Sequence, residues 1–293
     1  MTRRDLLSLS LGAIAWTATA RLVRARTGAD AVPPEFERIA AFIRGRELQR
    51  RPIGKTIAAI GKNFMGTPYE GATLEINQRE QCVINFKGLD CVTFFELSLD
   101  LARIAKKNTL TYDALVNEVT FTRYRDGVLT DYTSRLHYTT DWFSNNVKKH
   151  VVENITKSLG GVPFVKSIDF MSKHPDKYRQ LAADPHLLPA IRSAEERLAK
   201  EEILYVPKEH VAAIETKLQD GDIIGITTAI AGIDCSHTGL IIREGDHARF
   251  LHASSVKKQV SIADGSLSDY LNSVSKHTGI MVVRANEPEP GKY

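Results

Sequence analysis

The chain has 293 residues, 43% of them hydrophobic and 25% charged, with a formal net charge of +4. That is a globular composition. Arg3, Arg4, Arg21, Arg24 and Arg26 supply the excess charge near the N-terminus, so no basic stripe points to nucleic acid, and three cysteines make a poor disulfide scaffold.

Met1 to Arg4 is a short basic region. Leu6 to Ala20 is apolar or small apart from Ser and Thr, and it ends in Ala18-Thr19-Ala20. This order is that of a secretory signal peptide cut after Ala20. Thr2-Arg3-Arg4-Asp5-Leu6-Leu7 also resembles a twin-arginine export signal, which implies that export machinery as a partner. The alternative is an N-terminal anchor, but the run is short of the ~20 apolar residues a span needs. A periplasmic or secreted bacterial protein, not inserted in the membrane after cleavage, is the expectation. Residues 21–34 read as an Arg- and Ala-rich linker ending in Pro33-Pro34.

Helical spacing predicts a helix over 35–49, with Phe36, Ile39, Ala40, Phe42 and Ile43 on one face, and another over 53–64. Gly66 to Gly71 is a loop. Residues 73–87 alternate and predict two short strands. Gly88-Leu89-Asp90-Cys91 then runs into an apolar stretch with helical spacing. Asp90 is a good N-cap, which puts Cys91 in the first turn. There the helix dipole favours a thiolate, and the Cys91 N–H can help hold a developing oxyanion.

Further helices are predicted over 112–121, over 138–159 with a break, and over 186–200. A dense polar and aromatic run covers Arg123 to Gly127, Asp131 to Tyr138, and Asp141-Trp142. A short helix is expected over 207–218. Strands are expected over 222–227, 237–243, 248–252 and 258–262, then a helix over 267–274 and a strand over 279–284. Helices first and sheet second imply an α+β fold with the cysteine-bearing helix packed on an antiparallel sheet. A hairpin of strands 237–243 and 248–254 would put His237 and His252 at the same end. His237 would then serve Cys91 as base, and His252 would fix the tautomer of His237. Cys82 and Cys235 either pair and leave Cys91 free or are two buried thiols.

Several of these motifs together resemble the NlpC-type, papain-like cell-wall hydrolases. They are Asp90-Cys91 opening a helix, Gly66-Thr67-Pro68-Tyr69 upstream, Gly221-Asp222-Ile223-Ile224, His237-Thr238-Gly239, and His252-Ala253-Ser254. Asp220 stands where proline is usual. Thr93 to Glu96, Arg123 to Gly127 and Ser134 to Tyr138 are similar to one branch, the N-acetylmuramoyl-L-alanine amidase-like family. The resemblance covers roughly residues 50–285. It implies one papain-like domain over 35–285 with a helical insertion over about 110–206, a tail over 286–293, and no cofactor. It also implies cleavage of the amide between N-acetylmuramic acid and L-alanine through a thioester, in small muropeptides and especially their 1,6-anhydro forms.

The catalytic set is then Cys91, His237, His252 and Tyr69, the last as an oxyanion partner or a structural tyrosine. Arg123, Arg125 and Arg135 are candidates for substrate carboxylates. Tyr124, Tyr138 and Trp142 are candidates for sugar faces, and His137 lies among them. The alternative is an internal ion-pair and aromatic cluster with Asp126, Asp131 and Asp141. Asp234 either binds substrate or caps a turn.

Other readings stay open. One is an endopeptidase cutting between D-glutamate and the third stem residue; another is acyl transfer to an amine. A non-catalytic muropeptide-binding relative is a third. A metal hydrolase using His237, His252 and Asp234 or Asp222 lacks any H-E-x-x-H or paired-cysteine spacing.

Overall fold

The computed structural model describes residues 32–288. The expected signal peptide, residues 21–31 of the linker and residues 289–293 of the tail lie outside the described residues.

The chain opens with α1 (Pro34–Gly45) and α2 (Ile53–Asn63). α1 buries Phe36, Ile39, Ala40 and Ile43, while Phe42, expected on the same face, is half-buried at its edge. Next come α3 (Cys91–Lys106) and α4 (Tyr112–Arg123). α3 starts at a closed capping box: Asp90 Oδ1 accepts from the N–H groups of Val92 and Thr93 at 3.0 and 2.8 Å, and Thr93 Oγ1 accepts from the Asp90 N–H at 3.0 Å. From Thr93 to Ala105 every residue of α3 is buried. A helix covered on all sides must pair its own polar groups. Arg103 accordingly donates to Glu118 of α4 at 2.6 Å.

The remaining elements are α5 (Thr139–Lys148), β1 (Val152–Asn154), β2 (Val162–Pro163), α6 (Phe170–Lys173), α7 (Arg179–Ala183), α8 (Leu188–Leu198), β3 (Leu204–Pro207), α9 (Lys208–Ile214), β4 (Ile223–Thr228), β5 (Cys235–Glu244), β6 (His247–Ser254), β7 (Gln259–Ile262), α10 (Leu267–Asn272) and β8 (His277–Ala285). The strands form one antiparallel sheet in the order β2-β3-β8-β4-β5-β6-β7, with β1 also paired to β8. Leu240, Ile242, Leu251 and Ala253 point to the face packed with Phe94 of α3. Ile241, Phe250 and Ile224 point to the other face, with Val211 of α9 and Leu267 of α10. This is the period-two alternation of a sheet covered on both sides. The outcome is α+β, as expected. At the foot of β4, Gly221 has φ +80°, and a Cβ there would meet the Gly54 carbonyl oxygen at 2.4 Å. Only glycine lets α2 dock this closely against the turn.

Two expectations fail. Residues 73–87 form turns and bends instead of two strands. The segment finds no ladder partner; arginines hold its carbonyls and carboxylates instead, as described below. The helix expected over 138–159 ends at Lys148, and Val152–Asn154 pairs with β8 as β1. His150, at φ +56°, turns the chain there.

Candidate active site

Cys91 is the first residue of α3, half-buried at the end of the sheet where β5 begins. Backbone pairing brings Tyr69 to it. The Leu89 N–H donates to the Pro68 carbonyl at 3.0 Å, and the Glu70 N–H donates to the Leu89 carbonyl at 3.1 Å. On its other side the loop extends β7, since the Tyr69 N–H donates to the Lys258 carbonyl at 2.9 Å. Burial raises the Tyr69 phenol above its ordinary pKa, and charge on Cys91 and then Asp90 adds to the rise. Among the described residues the Cys91 N–H donates to no other residue's oxygen.

The sulfur also lies beside Thr238, whose polar groups favour its ionised form. Thr238 itself is 1% exposed, and its hydroxyl makes no well-formed hydrogen bond. One residue before it, His237 Nε2 lies 2.6 Å from His252 Nδ1. The register Leu240↔Leu251 places both rings on one face of the hairpin. No hydrogen bond joins the sulfur to either ring among the described residues; Thr238, which lies beside the sulfur, follows His237 in β5, and the His237 ring packs with Phe250 and Tyr270 on the other face of the strand.

A residue that sequence reasoning missed completes the group. Tyr270 of α10 stands 5.0 Å from the His252 ring, 5.0 Å from Phe250 and 6.3 Å from His237, centroid to centroid. Its position follows from how α10 packs on the sheet, and nothing in Leu267 to Asn272 announces it.

Burial works against the thiolate expected at Cys91. Burial pushes its thiol up to about 11, and the Asp90 carboxylate adds to the rise. The cap that creates the helix start also occupies the Val92 and Thr93 N–H groups and sets a negative charge beside the sulfur. Burial pushes His237 down to about 3, helped by His252, and His252 to about 4, helped by Lys257. The resting pair is a neutral thiol and a neutral imidazole. Burial pushes His137 down to about 3 as well, with Arg135 contributing.

These three histidines make stability depend on pH. In the unfolded chain each binds a proton below about 6.5; in the folded chain none does until about 3 to 4. The stability present at neutral pH is therefore lost as pH falls through that window. Urea midpoints are expected to drop between pH 7 and pH 5.5; an unchanged midpoint would contradict the burial of neutral rings.

Most of the expected substrate contacts are internal. Arg123, 2% exposed, donates to Glu96 at 2.9 Å and to the Val83 carbonyl at 2.6 Å. Tyr124 is fully buried; its hydroxyl lies 2.8 Å from Glu80 and 3.0 Å from the Gln81 carbonyl. Arg135 bridges Glu75 and Glu80 at 2.7 and 2.8 Å. These side chains pin the irregular 73–87 segment. Trp142 donates to Glu96 at 3.0 Å and packs edge-on against Phe95. The Tyr138 hydroxyl donates to Glu195 at 2.8 Å, and His137 Nε2 lies 2.8 Å from the Tyr132 carbonyl. Arg125 is the more open member, yet both its terminal nitrogens hold Asp141 at 3.0 and 2.5 Å. Asp234 resolves toward capping. It accepts from the Thr140 N–H at 2.7 Å and from its hydroxyl at 2.9 Å, at the first turn of α5, whose own N-cap Tyr138 supplies no side-chain cap. Cys82 and Cys235 are both unpaired. Cys82 Sγ lies 3.7 Å from the Val116 carbonyl, while Cys235 Sγ lies against Gly225.

Among the described residues no group of three or more His, Cys, Asp or Glu side chains is placed to hold a metal ion. No helix among them is long and apolar enough to cross a membrane.

A family profile described as N-acetylmuramoyl-L-alanine amidase-like (AmiA-like) matches residues 59–287. The crystal structure of an N-acetylmuramoyl-L-alanine amidase from Bacteroides uniformis ATCC 8492 superposes with a TM-score of 0.74 at 34% identity, over 80% of this chain and 99% of that one. A Bacteroides fragilis protein provisionally called a xylanase is also 34% identical, with a TM-score of 0.71 over 76% of this chain and 98% of that one. A Legionella pneumophila protein at 22% identity shares the fold, with a TM-score of 0.63 over 87% of this chain and 96% of that one. No curated protein matches the chain.

Proposed function

The chain belongs to the N-acetylmuramoyl-L-alanine amidase-like family, and from that membership we propose that it is a cysteine amidase with a papain-like arrangement of its site. It hydrolyses the amide between N-acetylmuramic acid and L-alanine in small muropeptides, the 1,6-anhydro forms above all. Its expected signal segment carries it to the periplasm or the outside of the cell. The observation that supports the reading is a cysteine on a capped helix start, beside Thr238, in a fold that also holds His237 hydrogen-bonded to His252.

The thiol of Cys91 is neutral at rest, so its proton leaves as its sulfur attacks the lactyl carbonyl carbon. His237 takes that proton. If Nε2 of His237 carries its hydrogen toward Nδ1 of His252, 2.6 Å away, Nδ1 of His237 is left open as the base. The Cys91 N–H and the Tyr69 hydroxyl serve the oxyanion. Collapse of the tetrahedral adduct breaks the C–N bond, and His237 passes its proton to the departing alanine nitrogen. Water, deprotonated by His237, then cleaves the thioester.

His252 acts on the ring of His237 and not on substrate. Loss of an orienting partner is expected to cost less than loss of the base: kcat of His252→Ala should fall about 10²- to 10³-fold with KM little changed. A His252→Ala enzyme with wild-type kcat would remove His252 from the mechanism.

The test of the reaction is mass spectrometry of a digest of 1,6-anhydro-muropeptides. Free stem peptide and free anhydro sugar are the expected products. A sugar still bearing alanine and glutamate would identify the endopeptidase reading instead.

A further inference from the structure

A cleft of about 710 Å³ lies where β4 ends and the chain turns toward β5. That volume falls within the range of small-ligand sites. One wall is the 228–232 turn that leaves β4 and feeds directly into Asp234, Cys235 and His237. The opposite wall is the stretch from Pro163 to His174. Lys166 ties the two walls together, donating to the Thr228 carbonyl and, at 2.6 Å, to the Ile233 carbonyl. Cys235, at the start of β5, follows the cleft wall in the chain, and its thiol feels the charges of both Lys166 and Cys91.

The lining has a definite chemistry. Phe164 and Tyr205 form an edge-to-face pair with centroids 5.4 Å apart, and Phe170 and His174 a tilted pair at 4.5 Å. Between them the cleft presents the hydroxyls of Ser167, Thr228 and Thr278. Its two lysines are engaged: Lys166 with the carbonyls above, and Lys173 with Asp169 at 2.8 Å. A stem peptide carries several carboxylates and would need unengaged cations. A sugar presents flat C–H faces and hydroxyls, which suit aromatic rings and neutral hydrogen-bonding groups.

Resting on the amidase reading, we propose that this cleft holds the amino sugar of the substrate and that the stem peptide leaves on the other side of Cys91. The aromatic rings set which sugar is accepted, and the Lys166 tie sets how far the sugar sits from the sulfur.

The experiment uses the Cys91→Ala protein, so that no turnover intervenes. Binding of 1,6-anhydro-N-acetylmuramic acid and of the free stem peptide is followed separately by saturation-transfer NMR. The sugar is expected to bind, and its Kd to weaken at least tenfold in Phe170→Ala. Ser167→Trp alters an exposed rim residue and fills the cleft without disturbing the core; it should weaken sugar binding similarly and leave peptide binding intact. The proposal is overturned if the sugar does not bind, if neither substitution changes its affinity, or if the two substitutions weaken the peptide instead. Retained turnover by Cys91→Ala would defeat the mechanism while leaving the sugar titrations able to support the cleft, so the two failures are separable.

Discussion

Cys91→Ala is expected to lower turnover of anhydro-muropeptides by about 10⁴-fold or more, with substrate affinity and folding nearly unchanged. The size follows from the chemistry. An amide needs a nucleophile stronger than water, and no other thiol takes its place: Cys82 and Cys235 are spent on packing against Val116 and Gly225. Folding should survive because the start of α3 depends on Asp90 and Thr93 and not on the sulfur, and because alanine has the highest helix propensity. Turnover and affinity, measured side by side by mass spectrometry and calorimetry, check both halves. An alanine variant that still cleaves at an appreciable fraction of the wild-type rate would end the cysteine mechanism. One that fails to fold would show that α3 is held differently from the capping box described above.

The largest expected loss of stability comes from Glu96→Ala. Glu96 is fully buried on α3. One of its oxygens accepts from Arg123 at 2.9 Å and the other from the indole N–H of Trp142 at 3.0 Å. Truncation leaves a guanidinium and an indole donor without their acceptor inside the core. Removing one member of a buried pair costs about 3–5 kcal/mol, a drop in Tm on the order of 10 °C for a chain of this size. Glu96→Gln keeps an acceptor for Trp142 and removes only the charge, so it should fall between wild type and Glu96→Ala. Thermal unfolding of the three proteins checks the order; equal melting temperatures would mean that Arg123 finds water or another carboxylate. This carboxylate also explains why Arg123 and Trp142 have no face left for substrate.

Residues whose chemistry is local were legible in the chain alone. Asp90 followed by an apolar helical stretch announces a capped helix, so the place of Cys91 in the first turn could be written down beforehand. The α1 stripe and strands β4, β5, β6 and β8 follow from periodicities of 3.6 and 2 that a few neighbouring residues reveal. The hairpin holding His237 and His252 follows from Gly and Asp turns between two apolar runs. The failures share a cause. Residues 73–87 alternate as a strand should, but a strand exists only if another edge accepts it. Here Arg123, Tyr124 and Arg135, all distant in sequence, take its carbonyls and carboxylates one by one.

The same division runs through the site. Which atoms can attack, accept a proton and stabilise an oxyanion is a property of side-chain type and of a helix start that six consecutive residues build. Proton affinity is not. Burial pushes the Cys91 thiol up to about 11 and the His237 ring down to about 3, and desolvation is a sum over neighbours from every part of the chain. Whether an arginine greets a substrate or a buried glutamate is decided in the same way, by which surfaces close over it. The fold also supplied Tyr270 and the aromatic cleft, since both arise where elements far apart in sequence come to lie side by side.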